Sequence, residues 1–142
     1  MASTIIFLPL ISFLFCFLFG KKFNYKIFQI TSTAALFLCA IFSWTIFFQY
    51  LDNKDTQIIY ILNWITSGSF VVDWSIRVDT LTSVMFIVVT TVSACVHLYS
   101  IGYMEEDPSK VRFMGYLSLF TFFMLVLVSS NNLLQMFFGW EG

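Results

Sequence analysis

Apolar residues run in long blocks along this chain, separated by short polar stretches. The first block, Ser3 to Phe19, is near the lower limit for a membrane span. A secretory signal carries its positive charge before the apolar stretch and a small-residue cleavage site after it. Here Lys21, Lys22 and Lys26 follow the stretch, so it is expected to persist as a membrane helix. The second block, Ile27 to Tyr50, is long enough to cross about 30 Å of hydrocarbon at about 1.5 Å per residue. Trp44 and Tyr50 stand where interfacial anchors belong. After the polar break Asp52 to Gln57 the period changes. Phe70, Val72, Trp74, Ile76 and Val78 alternate with Val71, Asp73, Ser75, Arg77 and Asp79, which is strand periodicity. With Ile58 to Ile65 as the preceding strand and Thr66 to Ser69 as the turn, a β-hairpin at about 58–79 is predicted on the membrane surface.

Apolar character returns from Thr80 to Ile101, with Asp79 placed to cap the helix start. A charged loop, Gly102 to Val111, leads to a fourth block, Phe113 to Val128, and Ser129 to Asn132 make a turn. A fifth helix begins at Leu133 and reaches Gly142 after only two or three turns, too short to cross. The expected fold is an all-α polytopic membrane protein: four transmembrane helices, the start of a fifth, and a hairpin between helices two and three. The whole of 1–142 is expected to be one N-terminal part of a larger subunit, from a split gene or a truncation. No internal repeat is visible.

Composition strengthens the membrane assignment. Hydrophobic residues make up 59% and charged ones 11%, against roughly half and a quarter in a soluble domain. A compact soluble fold of 142 residues has too little interior to hide 19 Phe together with the Leu, Ile and Val. Net charge is -1, and no basic run interleaved with aromatics marks a nucleic-acid groove, so no nucleic-acid partner is expected. Cys16, Cys39 and Cys95 are odd in number and widely spaced, which fits neither a disulfide framework nor a zinc site; they are expected to be small buried packing residues. The placement of charge sets the orientation. Lys21, Lys22, Lys26, Lys110 and Arg112 lie in the first and third connections, against Lys54 and Arg77 in the second. The positive-inside rule then puts the N-terminus and the hairpin on the outer, periplasmic or intermembrane-space, side.

One acidic residue lies outside the connections and helix ends that hold the others. Glu141 enters an otherwise apolar helix, roughly 15 Å into the bilayer when counted from Asn131 at about 1.5 Å per residue. A carboxylate at that depth is costly unless it faces protein or water, and ionisable groups within spans mark proton or ion pathways. Glu141 is therefore the first candidate for a proton relay. The second is His97, the single histidine, on the third span. An imidazole titrates close to neutral pH and can pass a proton, or it can be a packed histidine bonded to a backbone carbonyl. Arg77 and Asp79 are expected to be surface and capping charges, and Arg112 a headgroup anchor or a salt-bridge partner. The sequence holds no nucleotide loop, no metal-ligand or iron–sulfur cluster and no nucleophile with a base beside it, so no cofactor or metal site is expected in this chain.

Several stretches, taken in order, resemble a known family. They are Val78-Asp-Thr-Leu-Thr82, Val96-His-Leu-Tyr-Ser100, Gly102-Tyr-Met-Glu-Glu-Asp107, Arg112-Phe113, Leu117-Ser-Leu-Phe-Thr-Phe-Phe-Met-Leu125 and Asn132-Leu-Leu-Gln-Met-Phe-Phe-Gly-Trp-Glu-Gly142. Together they resemble the largest antiporter-like subunit of the proton-pumping NADH:quinone oxidoreductase, respiratory complex I. That subunit is NADH dehydrogenase subunit 5 in mitochondria and NADH-quinone oxidoreductase subunit L in bacteria. The likeness is dense from about Trp74 onward and looser over the first two helices.

The resemblance implies a multi-pass protein of the bacterial or mitochondrial inner membrane that couples NADH oxidation and quinone reduction to proton pumping. Enrichment in Phe, Ile and Asn with scarcity of Ala and Gly points to an AT-rich genome, which suits mitochondria and some reduced alphaproteobacteria alike; the bacterial case is the one expected. Glu141 would match the family's fifth-helix glutamate, which works with a lysine on the seventh helix, and His97 the histidine of its His-x-Tyr motif. NADH, flavin mononucleotide, iron–sulfur clusters and quinone would belong to other subunits. The implied partners are the other complex I membrane subunits, the lipid bilayer and the remainder of the same subunit. Two alternatives stay open: the large subunit of a multi-subunit sodium/proton antiporter, and a stable short product that pairs with a separately encoded remainder.

Overall fold

A computed structural model describes residues 1–20, 24–52 and 55–142. Its elements in chain order are α1 (Ala2–Phe19), α2 (Tyr25–Asp52), β1 (Gln57–Ser67), β2 (Phe70–Val78), α3 (Thr80–Tyr103), α4 (Lys110–Val128) and α5 (Leu133–Glu141). Lys21, Lys22 and Lys54, which enter the orientation expectation, lie outside the described residues.

The helices form where the apolar blocks predict, and polar side chains mark the starts of α2, α3 and α5. Asn24 Oδ1 accepts from the Lys26 amide just before α2. Asp79 caps α3 by accepting from the Thr82 amide at 2.8 Å, and Asn132 caps α5 by accepting from the Gln135 amide at 2.8 Å. Pro9 lies inside α1, where its missing N–H leaves the Ile5 carbonyl without its helical donor. The thiol of Cys39, across on α2, donates to that carbonyl at 3.5 Å. Neighbouring side chains commonly satisfy backbone groups freed by proline in membrane helices.

Among the described residues, four helices are long and apolar enough to cross a membrane: Ala2–Phe19, Tyr25–Leu51, Thr80–Tyr103 and Lys110–Val128. Their outward faces carry Phe17, Leu18, Ile30, Phe48, Leu81 and Tyr99, large apolar side chains that water would disfavour and lipid accepts. The helices form an antiparallel bundle in which α1 packs on α2 and α4, and α3 packs on α2 and α4. Its interior includes Ile5, Ile6, Cys39, Phe86, Leu125 and Val126. Two expectations need correction here. Cys16 and Cys39 are buried, but Cys95 is exposed, because it projects from the face of α3 turned away from the bundle. Tyr50 is not a surface anchor; it is buried in the core cluster that also holds Ile76 and Val78 of β2.

The hairpin forms with β1 and β2 antiparallel and register shifts after Tyr60 and Asn63. Its two-residue turn places Gly68 at φ 59°, the left-handed conformation that glycine adopts without steric cost. The predicted alternation on β2 is visible in burial. Val72, Ile76 and Val78 face inward while Val71 and Arg77 are exposed; the exceptions are Phe70, exposed beside the turn, and Ser75, buried beneath Gln135. The hairpin lies across one end of the bundle, pinned to the α4–α5 connection by the Arg77 amide donating to Ser129 O at 2.9 Å. We call this the hairpin end and the opposite end, with the Gly102–Ser109 loop, the loop end.

Candidate functional site

The buried face of α3 is built from small polar residues. Ser83, Thr90, His97 and Ser100 recur at spacings of three or seven residues, which places them along one stripe of the helix, and all are buried. Without a hydrophobic force between helices in lipid, hydroxyls and small side chains are what lets α-helices approach and bond. The stripe meets complementary hydroxyls at successive levels. Thr90 Oγ1 donates to Ser43 Oγ of α2 at 3.1 Å, and Ser93 Oγ pairs with Thr121 Oγ1 of α4. His97 is fully buried, with Nδ1 2.8 Å from Ser93 O and Nε2 3.1 Å from Ser118 Oγ. Because Ser118 is near the midpoint of α4, His97 sits closer to the middle of the bundle than its place near the end of the third block predicts.

The other predicted site residue, Glu141, is the last residue of α5 and is exposed. Helix α5 is turned back along α4 by the Ser129–Asn132 connection. Asn132 Nδ2 donates to Asp73 O at 2.8 Å, and the buried Gln135 accepts from the Ser75 amide at 3.3 Å, so hairpin and helix start are locked together. Trp64, Trp74, Phe123 and Phe138 make a ring cluster under this joint, with Trp74 and Phe138 centroids 5.1 Å apart. Gly139 lies against the Leu127 backbone and Gly142 against the Phe123 ring. Glu141 is thus level with Phe123 and nearer the hairpin end than His97. Its side chain leaves α5 on the flank shared with Leu134 and Phe137, away from α4, and among the described residues it has no ion-pair partner. The structure does not bring Glu141 and His97 together, because α4 stands between α3 and α5.

The remaining charges behave as capping and surface groups. Arg77 and Asp79 form an ion pair at 3.3 Å. The Thr82 amide, assisted by the Arg77 charge, holds the Asp79 carboxyl below the usual carboxylate range despite partial burial. Lys110 donates to Glu105 O at 2.7 Å and lies 4.0 Å from the Tyr25 ring centre. Arg112 borders a groove of about 770 Å³ between α1 and α4 that includes neither His97 nor Glu141.

Sequence reasoning missed Ser118, Ser93 and Thr121 around the histidine, and Asn132 and Gln135 beneath the hairpin. The signal for the first group was present in the hydroxyl stripe of α3. Its partner on α4 was not visible, since Ser118 and Thr121 are isolated among Phe, Leu and Met.

The chain is similar to known proteins along its whole length. Residues 64–114, from β1 through α3 into α4, match the family model described as NADH-Ubiquinone oxidoreductase (complex I), chain 5 N-terminus. The chain is 54% identical over 144 residues to NADH-quinone oxidoreductase subunit L of Rickettsia felis, covering 100% of this chain and 22% of that protein. It is 48% identical over 139 residues to NADH-ubiquinone oxidoreductase chain 5 of Phytophthora infestans, covering 98% of this chain and 21% of that one. A third relative, subunit L of Rhodobacter capsulatus, is 53% identical over 120 residues, 80% of this chain and 17% of the relative. The chain therefore spans about a fifth of the length of the first two relatives. The spans, the hairpin and these identities establish that the chain belongs to the family of NADH-quinone oxidoreductase subunit L and NADH-ubiquinone oxidoreductase chain 5.

Proposed function

We propose that this chain is part of a proton-translocating membrane subunit of an NADH:quinone oxidoreductase, in a bacterial or mitochondrial inner membrane, and that Glu141 and His97 are proton-relay groups. The observation that carries the assignment is the 54% identity to a subunit L over the whole chain. The four apolar helices among the described residues support a lipid setting, and the proposed partners are the other membrane subunits of the complex and the remainder of the same subunit. The excess of Lys and Arg beside the loop end favours an orientation with the N-terminus and hairpin on the outer side.

In this reading the redox chemistry occurs in other subunits. Quinone reduction changes the pairing and hydration of buried charges, and a proton held at Glu141 moves outward. The exposed flank of α5 carrying Glu141 suits a carboxylate whose partner, a lysine on a later helix in the family, comes from outside these residues. His97, with a partner for each ring nitrogen, suits a group that holds a proton within the bundle. Glu141→Gln in the full-length subunit, assembled in its complex, is expected to lower proton translocation per NADH oxidised by about a hundredfold, the lower end of what a positioned proton-transfer group contributes. Unchanged translocation would overturn the assignment of Glu141.

A further inference from the structure

His97 and Ser118 form a site that satisfies both protonation states of the histidine without moving a heavy atom. Ser93 O is a carbonyl and can only accept, so at 2.8 Å it holds a hydrogen on Nδ1 whether the ring is neutral or charged. Nε2 is therefore the nitrogen that titrates. Its partner, Ser118 Oγ at 3.1 Å, can accept or donate, and Ser118 Oγ is also 3.1 Å from Met114 O. With neutral His97 the hydroxyl hydrogen points to Nε2. With charged His97 the Nε2–H donates to Oγ, and the hydroxyl hydrogen turns to Met114 O. Met114, Ser118 and His97 are all fully buried, so an unpartnered Nε2 in either state would carry the full cost of a buried polar group.

We propose that Ser118 is the positioning residue for proton transfer at His97, its hydroxyl acting as a rotor between Nε2 and Met114 O. This inference rests on the proposed proton-translocating function. In the transfer step a hydronium ion gives a proton to a free lone pair of Ser118 Oγ while the hydroxyl's own hydrogen passes to Nε2. Two O–H bonds break, one on the hydronium and one on Ser118, one O–H and one N–H bond form, and the ring gains the charge that the hydronium loses as it becomes water. Release reverses the step. The faces packed around this site add no competing charge. Among the described residues no Lys, Arg, Asp or Glu is buried, and the other buried titratable side chains are Cys16 of α1 and Cys39 and Tyr50 of α2.

Polar groups on α2 supply an approach from the loop end. The Ser43–Thr90 bond fixes the antiparallel register of α2 and α3. Steps of seven residues from it put Leu36 opposite His97 and Gln29 opposite Met104, with Thr33 between. Gln29 Nε2 and Thr33 Oγ1 are buried without a partner among the described residues. Such atoms are normally met by ordered water, and water at this level would lie between the loop end and His97.

The test uses the full-length subunit assembled in its complex and reconstituted in liposomes, with proton uptake and NADH oxidation measured across pH. Ser118→Ala is expected to lower proton uptake at least about fivefold and to move its pH profile by about one unit. Ser118→Thr, which keeps the hydroxyl, should restore both. His97→Gln should be no more severe when combined with Ser118→Ala, because both act on one step. A Ser118→Ala complex with a wild-type pH profile, failure of Thr to rescue, or losses that add in the double variant would overturn the rotor. Where Ser118→Ala prevents assembly, Ser118→Cys reads the same profile with a weaker donor, and a wild-type profile there also overturns it. Glu141→Gln in parallel separates the two ideas: impaired uptake there with a neutral Ser118 series removes only the rotor, while neutral results in both remove the proposed function.

Discussion

Replacing Gly139 by alanine tests the joint on which Glu141 depends. Gly139 is buried where α5 crosses α4, and a Cβ there would stand 2.7 Å from Leu127 N and 2.9 Å from Leu127 Cα. These are backbone atoms of a packed helix and cannot rotate aside. Ordinary contact then requires α5 to retreat by roughly 0.7 Å or more, loosening the packing of Phe138 on Phe123 and Trp74. Overpacking of this kind costs about 1–3 kcal/mol, from which about 1 kcal/mol is offset by the better helix propensity of alanine. A net loss of up to about 2 kcal/mol shifts the equilibrium between docked and undocked α5 by up to roughly 30-fold. Hydrogen exchange followed by mass spectrometry, on the complex in lipid nanodiscs, reads this as a matching loss of protection over Leu133–Glu141. Gly102→Ala is the control, since a Cβ there meets nothing within 4 Å. It should leave α5 unchanged. Unaltered α5 protection in Gly139→Ala, or an equal loss in Gly102→Ala, would refute the steric argument.

Two other substitutions probe the hairpin end. Asp79→Ala removes the acceptor for the Thr82 amide and should cost about 1 kcal/mol, seen as faster exchange in the first turn of α3. Because the folded carboxyl is held low, its stabilisation is fully present above the ordinary carboxylate range near pH ~4 and is lost as pH falls through the lower, folded value. First-turn protection that ignores acid, once corrected for intrinsic exchange rates, would contradict this. Gly68→Ala forces a side chain into the left-handed conformation at φ 59° and should weaken the hairpin by roughly 1 kcal/mol. Gly68→Asn should be milder, and equal exchange of the β1 amides in all three forms would count against the turn assignment.

The legible parts of this protein are those fixed locally. Four apolar blocks predict four spans because hydrocarbon leaves a helix as the way for a single segment to satisfy its backbone. The change to a two-residue period between Phe70 and Asp79 predicts β2. Asp79 and the turn at Ser129–Asn132 mark helix ends through their own side-chain chemistry, and boundaries differ from expectation by only a few residues. The faces of the helices were far less legible. Where apolar residues run all round a helix no polar stripe shows which side is lipid and which is protein, so Tyr50 of α2 could not be distinguished from an interfacial tyrosine; on α3 the hydroxyl stripe was a guide, and Cys95 lies on the side away from it.

What the sequence by itself determined is the solvent of this protein, its order of spans and hairpin, and the two ionisable residues that lipid makes conspicuous, Glu141 and His97. Only the tertiary structure decided their surroundings. It gave His97 an amphoteric partner 21 residues away, at Ser118. It tied Gln135 of α5 to Ser75 of the hairpin across 60 residues, and turned Glu141 outward on a flank that α4 does not cover. The physical reason is that membrane helices choose their neighbours by close packing and a few hydrogen bonds. Those depend on the rotation and register of whole helices, which no local stretch of sequence specifies.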